Sequence, residues 1–274
     1  MNEALSPDGD DSFPDFTTPP VVEVAVGVQF RPLFGLRPIE LATLRERWRS
    51  AYPLVQEQPP VPPAIEGAVS GPPPVQLIVG PALQTRLWFL TDDQAELVQL
   101  QHDRLTVNWR QAPPEAAYPG YPNIRGLFEH RFADVAEFVG DRRLGALSLT
   151  QVEIVSINAV DPGADRLGQL EHLLHSWQPL TEHHLGQPQQ ARVALVFGVP
   201  GMGRGPVRMY VAVDPARRPD GRPVLFLTFT VRGAPSDESL TAALAFMDGA
   251  HHHMVQSFAE LTPAIMSPKR ERLQ

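Results

Sequence analysis

The chain carries one topology twice, and that repetition limits the folds open to it more than any other feature. Val22-Glu23-Val24-Ala25-Val26 in the first half matches Val152-Glu153-Ile154-Val155-Ser156 in the second. Each sets a Glu second in an apolar β run, where an unpaired carboxylate is costly to bury. Around each run the hydrophobic pattern reads as strand, helix, several short strands, helix. The expectation is an α+β fold: duplicated strand–helix–(antiparallel strands)–helix halves form a mixed or antiparallel sheet, with helices packed on one face. The halves are read as residues 19–146 and 147–262, between an acidic disordered tail at 1–18 and a polar tail at 263–274.

Periodicity supplies the elements. Val22, Val24, Val26, Val28 and Phe30 share one face of the opening strand, and Glu23, Ala25, Gly27 and Gln29 share the other. A strand with one apolar and one small-or-polar face suits a sheet covered on one side, whose bare face can line a cleft. A helix is expected from Pro38, with Leu41, Leu44, Trp48 and Tyr52 as its stripe, closed by Pro53. The proline-rich stretch 53–74 reads as an extended spacer, with a docking peptide as the alternative. Strands at 75–79, 86–90, 96–101 and 104–110 lead to a helix with Ile124, Leu127, Phe128, Phe132, Val135 and Val139 on one side. The second pass has a strand at 149–160, a helix striped by Leu167, Leu170, Leu174 and Trp177, and strands at 192–198, 207–213 and 224–231. Its last helix, with Ser236 as the expected cap, lines up Leu240, Leu244, Met247, His251, Met254, Phe258 and Leu261. That stripe needs the sheet or a second subunit, so a homo-oligomer through 236–262 is one expectation.

Composition removes several chemistries. The chain has no Cys, and its single lysine is Lys269. Disulfides, thiolate nucleophiles and Cys-based zinc sites are excluded, as are the lysine of a phosphate loop and a Schiff-base lysine in the folded body. A net charge of −8 argues against nucleic acid as partner. No apolar run approaches the ~20 residues of a membrane helix, and Met1–Thr18 lacks a leader pattern, so a cytoplasmic protein without membrane contact is expected.

Several segments together resemble a sporadically distributed bacterial family. They are Pro19-Pro20-Val21-Val22-Glu23-Val24, Phe89-Leu90-Thr91-Asp92, Leu97 to Gln101, Asp103-Arg104-Leu105, Asn108-Trp109-Arg110, Tyr118 to Pro122, and Asp248 with His251 and Phe258. The resemblance runs from Pro19 to about Thr262 and implies no particular chemistry. Members tend to have Tyr-Ile-Asn where this chain has Ser156-Ile157-Asn158.

Candidate sites follow from residue type and placement. If the opening strands are neighbours, Glu23 and Glu153 can share a site, hold a cation or split into acid and base. Asp248 and His251 stand three apart on one helix and can touch; the pair reads first as packing and second as a general base with its orienting carboxylate. Asn108, Trp109, Arg110, Tyr118 and Tyr121 can line a pocket or a contact surface, or simply edge the core. His172 and His175 fall opposite their apolar stripe, and Glu171-His172 reverses the order that a zinc-protease motif needs. The glycines between Gly198 and Gly205 lack the Gly-Lys-Ser/Thr ending of a phosphate loop and read as a hairpin. The sum favours a non-catalytic binding or accessory protein, with no cofactor and no metal. It would act on a protein partner or a small ligand in a cleft between the halves, through Glu23, Glu153, Trp109, Arg110 and Tyr121. The alternative is acid–base chemistry by Glu23/Glu153 or by Asp248/His251.

Overall fold

A computed structural model describes residues 20–64, 66, 85–112, 116–160, 191–218 and 220–261. The expected strand at 75–79, the second-pass helix with His172 and His175, and both tails lie outside the described residues.

Among the described residues, nine strands form one antiparallel sheet in the order β2-β3-β4-β5-β1-β6-β9-β8-β7. The first half supplies β1 (Val21–Phe30), β2 (Leu54–Gln58), β3 (Arg86–Leu90), β4 (Glu96–Gln101) and β5 (Arg104–Arg110). The second supplies β6 (Leu149–Val160), β7 (Val193–Gly198), β8 (Arg208–Arg217) and β9 (Pro223–Gly233). Three helices are described: α1 (Pro38–Trp48), α2 (Tyr121–Asp141) and α3 (Leu240–Leu261). An α+β fold with helices against one sheet face is therefore present. β2 was not anticipated: Leu54–Gln58 begins the proline-rich stretch, yet pairs with β3 over its whole length.

The two opening strands are neighbours. Ala25 lies directly opposite Val155, and these residues are equivalent positions of the repeat. The local twofold relation of β1 and β6 thus passes through that pair. The halves meet strand to strand, so they share a continuous sheet face and not a gap between two bodies.

One face of the sheet is the core. Val24, Val26, Val28, Val107, Ile154, Val211, Leu227, Phe229 and Val231 are almost wholly buried, along with Phe128 and Val135 of α2 and Ala243 and Met247 of α3. Trp48 of α1 meets Phe89 edge-on at 5.0 Å between ring centroids, and its Nε1–H donates to Asp134 of α2 at 2.8 Å. The stripe of α3 is spent on this chain's own sheet, where Phe258 packs edge-on against Phe229 at 5.5 Å. The α3 cap is Ser239, not Ser236: its Oγ accepts the Ala242 N–H at 3.1 Å. Ser236 stands a full turn too early to reach the first free N–H groups.

Loops follow local chemistry. Asp93 closes the β3–β4 turn by accepting the Thr91 hydroxyl at 2.6 Å and the Ala95 N–H at 3.0 Å. These bonds hold its carboxyl below the usual range, the hydroxyl contributing most. The glycine loop joins β7 to β8, as read from sequence. There Gly203 has φ +68°, and a Cβ would lie 2.2 Å from the Ala234 carbonyl oxygen.

Candidate functional site

The sheet face that no described helix covers is set by the same alternation that builds the core. Its rows across the sheet include Gln101–Arg104–Gln29–Gln151 and Thr106–Gly27–Glu153–Arg232–Arg208. The repeat gives each candidate carboxylate an arginine opposite: Glu23 faces Arg110, and Glu153 faces Arg232. Glu23 and Glu153 thus share one face. They do not share one point, because Glu153 pairs with Gly27, four residues from Glu23. At ordinary strand rise that is about 13 Å along the sheet.

The two carboxylates have diverged in use. Glu23 accepts the Asn108 amide at 2.7 Å, Asn108 accepts the Gln99 amide at 2.8 Å, and Gln99 accepts Trp88 Nε1–H and Arg86 Nη1–H at 3.0 Å each. Arg110 turns away, donating to the Gln94 carbonyl at 2.9 Å with its guanidinium 6.0 Å from the Trp88 ring. Glu153 instead pairs with Arg232.

Across this face runs a segment of the chain itself. The side-chain amide of Gln101 accepts the Val61 N–H at 2.9 Å and donates to the Val61 carbonyl at 3.0 Å. Gln29 does the same for Ala64, at 2.9 Å in each direction. Arg104 donates to the Pro62 carbonyl at 3.0 Å. On the same face lies Glu66, whose side chain is 3% exposed. Its carboxylate accepts Arg208 Nη1–H at 2.8 Å, the Tyr210 hydroxyl at 2.9 Å and Arg232 Nη1–H at 3.4 Å. Burial, then the hydrogen bond to Glu66, raise the Tyr210 hydroxyl pKa. The hydrogen bond that Arg208 donates to Glu66 is the largest cause raising the Arg208 pKa.

The register of the two arginines accounts for the carboxylate held here. Arg208 and Arg232 face each other in register on adjacent strands, and like charges so placed repel. An anion between them removes the repulsion, and charge-assisted hydrogen bonds to guanidinium fix its position.

The other candidates lie elsewhere. Trp109 and Arg110 are consecutive in a strand and point to opposite faces, so they form no common rim. Trp109 is on the helix side, 5.2 Å from Tyr118 between ring centroids. It lines a shallow depression of about 540 Å³ with Thr91, Asp93, Glu96 and Pro119. Tyr121 belongs to the contact between α2 and α3. Its hydroxyl donates to Asp248 at 2.8 Å, Arg125 Nε–H donates to the same oxygen at 2.8 Å, and its ring stacks on His251 at 3.9 Å. Burial lowers the His251 pKa to about 4 against the opposing pull of Asp248. Among the described residues, no group of three or more His, Asp or Glu is placed to hold a metal ion, and no helix is long and apolar enough to cross a membrane.

Glu66, Arg208, Tyr210, Arg232, Gln29 and Gln101 escaped the sequence reading as a group. One signal was present: Glu66 is the only charged residue between Glu57 and Arg86. A lone carboxylate in a proline-rich apolar stretch asks for a partner.

No family model matches the chain, and no curated protein matches it in sequence. Among solved structures it is similar to the crystal structure of the di-domain ARO/CYC StfQ from the steffimycin biosynthetic pathway. The identity is 11%, over 87% of this chain and 98% of that one, and the TM-score is 0.18. A likeness at that level carries no argument about function.

Proposed function

We propose that the protein is a binding or accessory protein that meets a protein partner on the sheet face that no described helix covers. One observation carries this reading: that face already holds polypeptide of the chain itself, residues 59–64 and Glu66, through main-chain grips and a buried carboxylate. Antiparallel sheets commonly leave one face bare. Here the bare face carries amides and guanidiniums suited to a chain in trans as well as in cis.

The acid–base alternative has His251 in its favour, a neutral imidazole three residues from a carboxylate. Against it, Asp248 already accepts from Tyr121 and Arg125, and the imidazole ring lies flat on Tyr121. Both groups serve the helix contact.

Site-specific photo-crosslinking in the native cell tests the reading. Photoreactive side chains at Val155 and Thr230, on the bare face, should give one adduct of defined mass. The same group at Glu137, on α2, should not. Adducts from α2 alone would reject the bare face as the binding surface.

A further inference from the structure

The face assigned to a partner is occupied by the chain itself. We infer that the Arg208–Tyr210–Arg232 pocket receives a carboxylate on an extended, proline-containing segment of a partner protein, and that Glu66, with residues 59–64 on the same face, fills it in cis until that segment replaces them. This rests on the reading of the bare face as the binding surface.

Four features make the occupant exchangeable. The register of β8 and β9 sets Arg208 beside Arg232; Glu153 pairs with Arg232, and among the described residues the carboxylate on Arg208 is that of Glu66, a place another chain's carboxylate can take. Gln101, Gln29 and Arg104 read only main-chain groups of the strap, which any extended segment presents. Pro59, Pro60, Pro62 and Pro63 are exposed, so polar contacts hold the strap, not a buried apolar face. Gln151, opposite Gln29 and 8% exposed, has an Oε1 that no described residue bonds, an acceptor for one more N–H on this face. Proline also lowers the ordering cost of an incoming segment, because its backbone is already restricted.

Cis occupancy sets the sign of the expected effect. A tethered segment competes at an effective concentration of roughly millimolar order, so a peptide in trans binds weakly until the tether's anchor is removed. The probe is an acetylated, amidated, fluorescent peptide of the sequence Pro-Pro-Val-Pro-Pro-Ala-Ile-Glu, read by anisotropy against the full chain. Glu66→Ala should bind it at least about tenfold tighter than the parent protein. The peptide ending in Gln should bind Glu66→Ala about tenfold more weakly, and Arg208→Ala added to Glu66→Ala should lose binding. Far-ultraviolet dichroism checks that each variant is folded. If Glu66→Ala does not fold, Glu66→Gln weakens the cis anchor, leaves every receiving residue of the face in place, and should raise affinity in the same direction. Equal binding of the acidic and amide peptides, or none by a folded Glu66→Ala protein, would overturn the inference. A dimer seen by light scattering that the peptide dissociates would assign the groove to a second copy, and would also overturn it. Failure here with crosslinks retained at Val155 and Thr230 leaves a binding face with a permanent strap. Failure of both removes the functional reading itself.

Discussion

His251 shows how one side chain connects sequence, packing and pH. It sits mid-stripe on α3, stacked on Tyr121, with burial holding its pKa near 4. An unfolded chain restores it to about 6.5. Between those values the unfolded state binds a proton that the folded state does not, so stability is full above about pH 6.5 and falls as pH drops towards 4. The loss attributable to this residue is about 1–3 kcal/mol. His251→Phe keeps the aromatic contact and removes the proton, so its urea midpoint should fall less between pH 6.5 and 4 than the parent's. Parallel pH curves for the two proteins would show that another group governs the acid limb. The place of His251 in an apolar stripe was legible from its spacing. Its ring partner was not, because Tyr121 comes from a helix 130 positions earlier in the chain. Glu66 was less legible still: its arginine Arg208 is 142 residues away.

At the level of elements, helix and strand positions followed from local pattern, and the departures have local causes. Ser239, not Ser236, caps α3, so Ser239→Ala should cost about 1 kcal/mol while Ser236→Ala costs little, measured by chemical denaturation. Equal effects would mean that the helix starts earlier than described. Gly27 faces the strap side of β1, where a Cβ would stand 2.6 Å from Thr106 Oγ1 and 3.0 Å from the Leu105 carbonyl oxygen. Gly27→Ala should therefore destabilise by about 1–3 kcal/mol. Adding Thr106→Ala should recover part of that loss, since the hydroxyl is the closer obstacle. No recovery would place the conflict at the backbone oxygen. The strand β2 was missed because the prolines around it signal an extended spacer, and an edge strand differs from a spacer only in having a neighbour to pair with.

Over the whole molecule, the β1–β6 seam makes two repeats into one sheet. Neither half has a complete sheet alone: each would leave its opening strand as an unpaired edge. Thermal unfolding should therefore be a single transition with calorimetric and van't Hoff enthalpies in agreement. Two separated transitions would mean that the halves fold independently and only abut. The same seam spaces the two matched carboxylates along one face. Glu23 ends in an Asn–Gln–Trp network, and Glu153 ends in the arginine cluster that clasps Glu66.

Period-two alternation, helical stripes and turn chemistry are near-neighbour effects, so they were readable along the chain: the repeat, the one-sided sheet and most element positions. Alternation says which face a residue occupies, but not which strand lies beside it. The pairing of Ala25 with Val155, the meeting of Arg208 with Arg232, and the passage of residues 59–64 over Gln101 and Gln29 exist only once remote segments close on one another. Those contacts form because a twisted, nine-stranded sheet brings them together, and no local propensity encodes them.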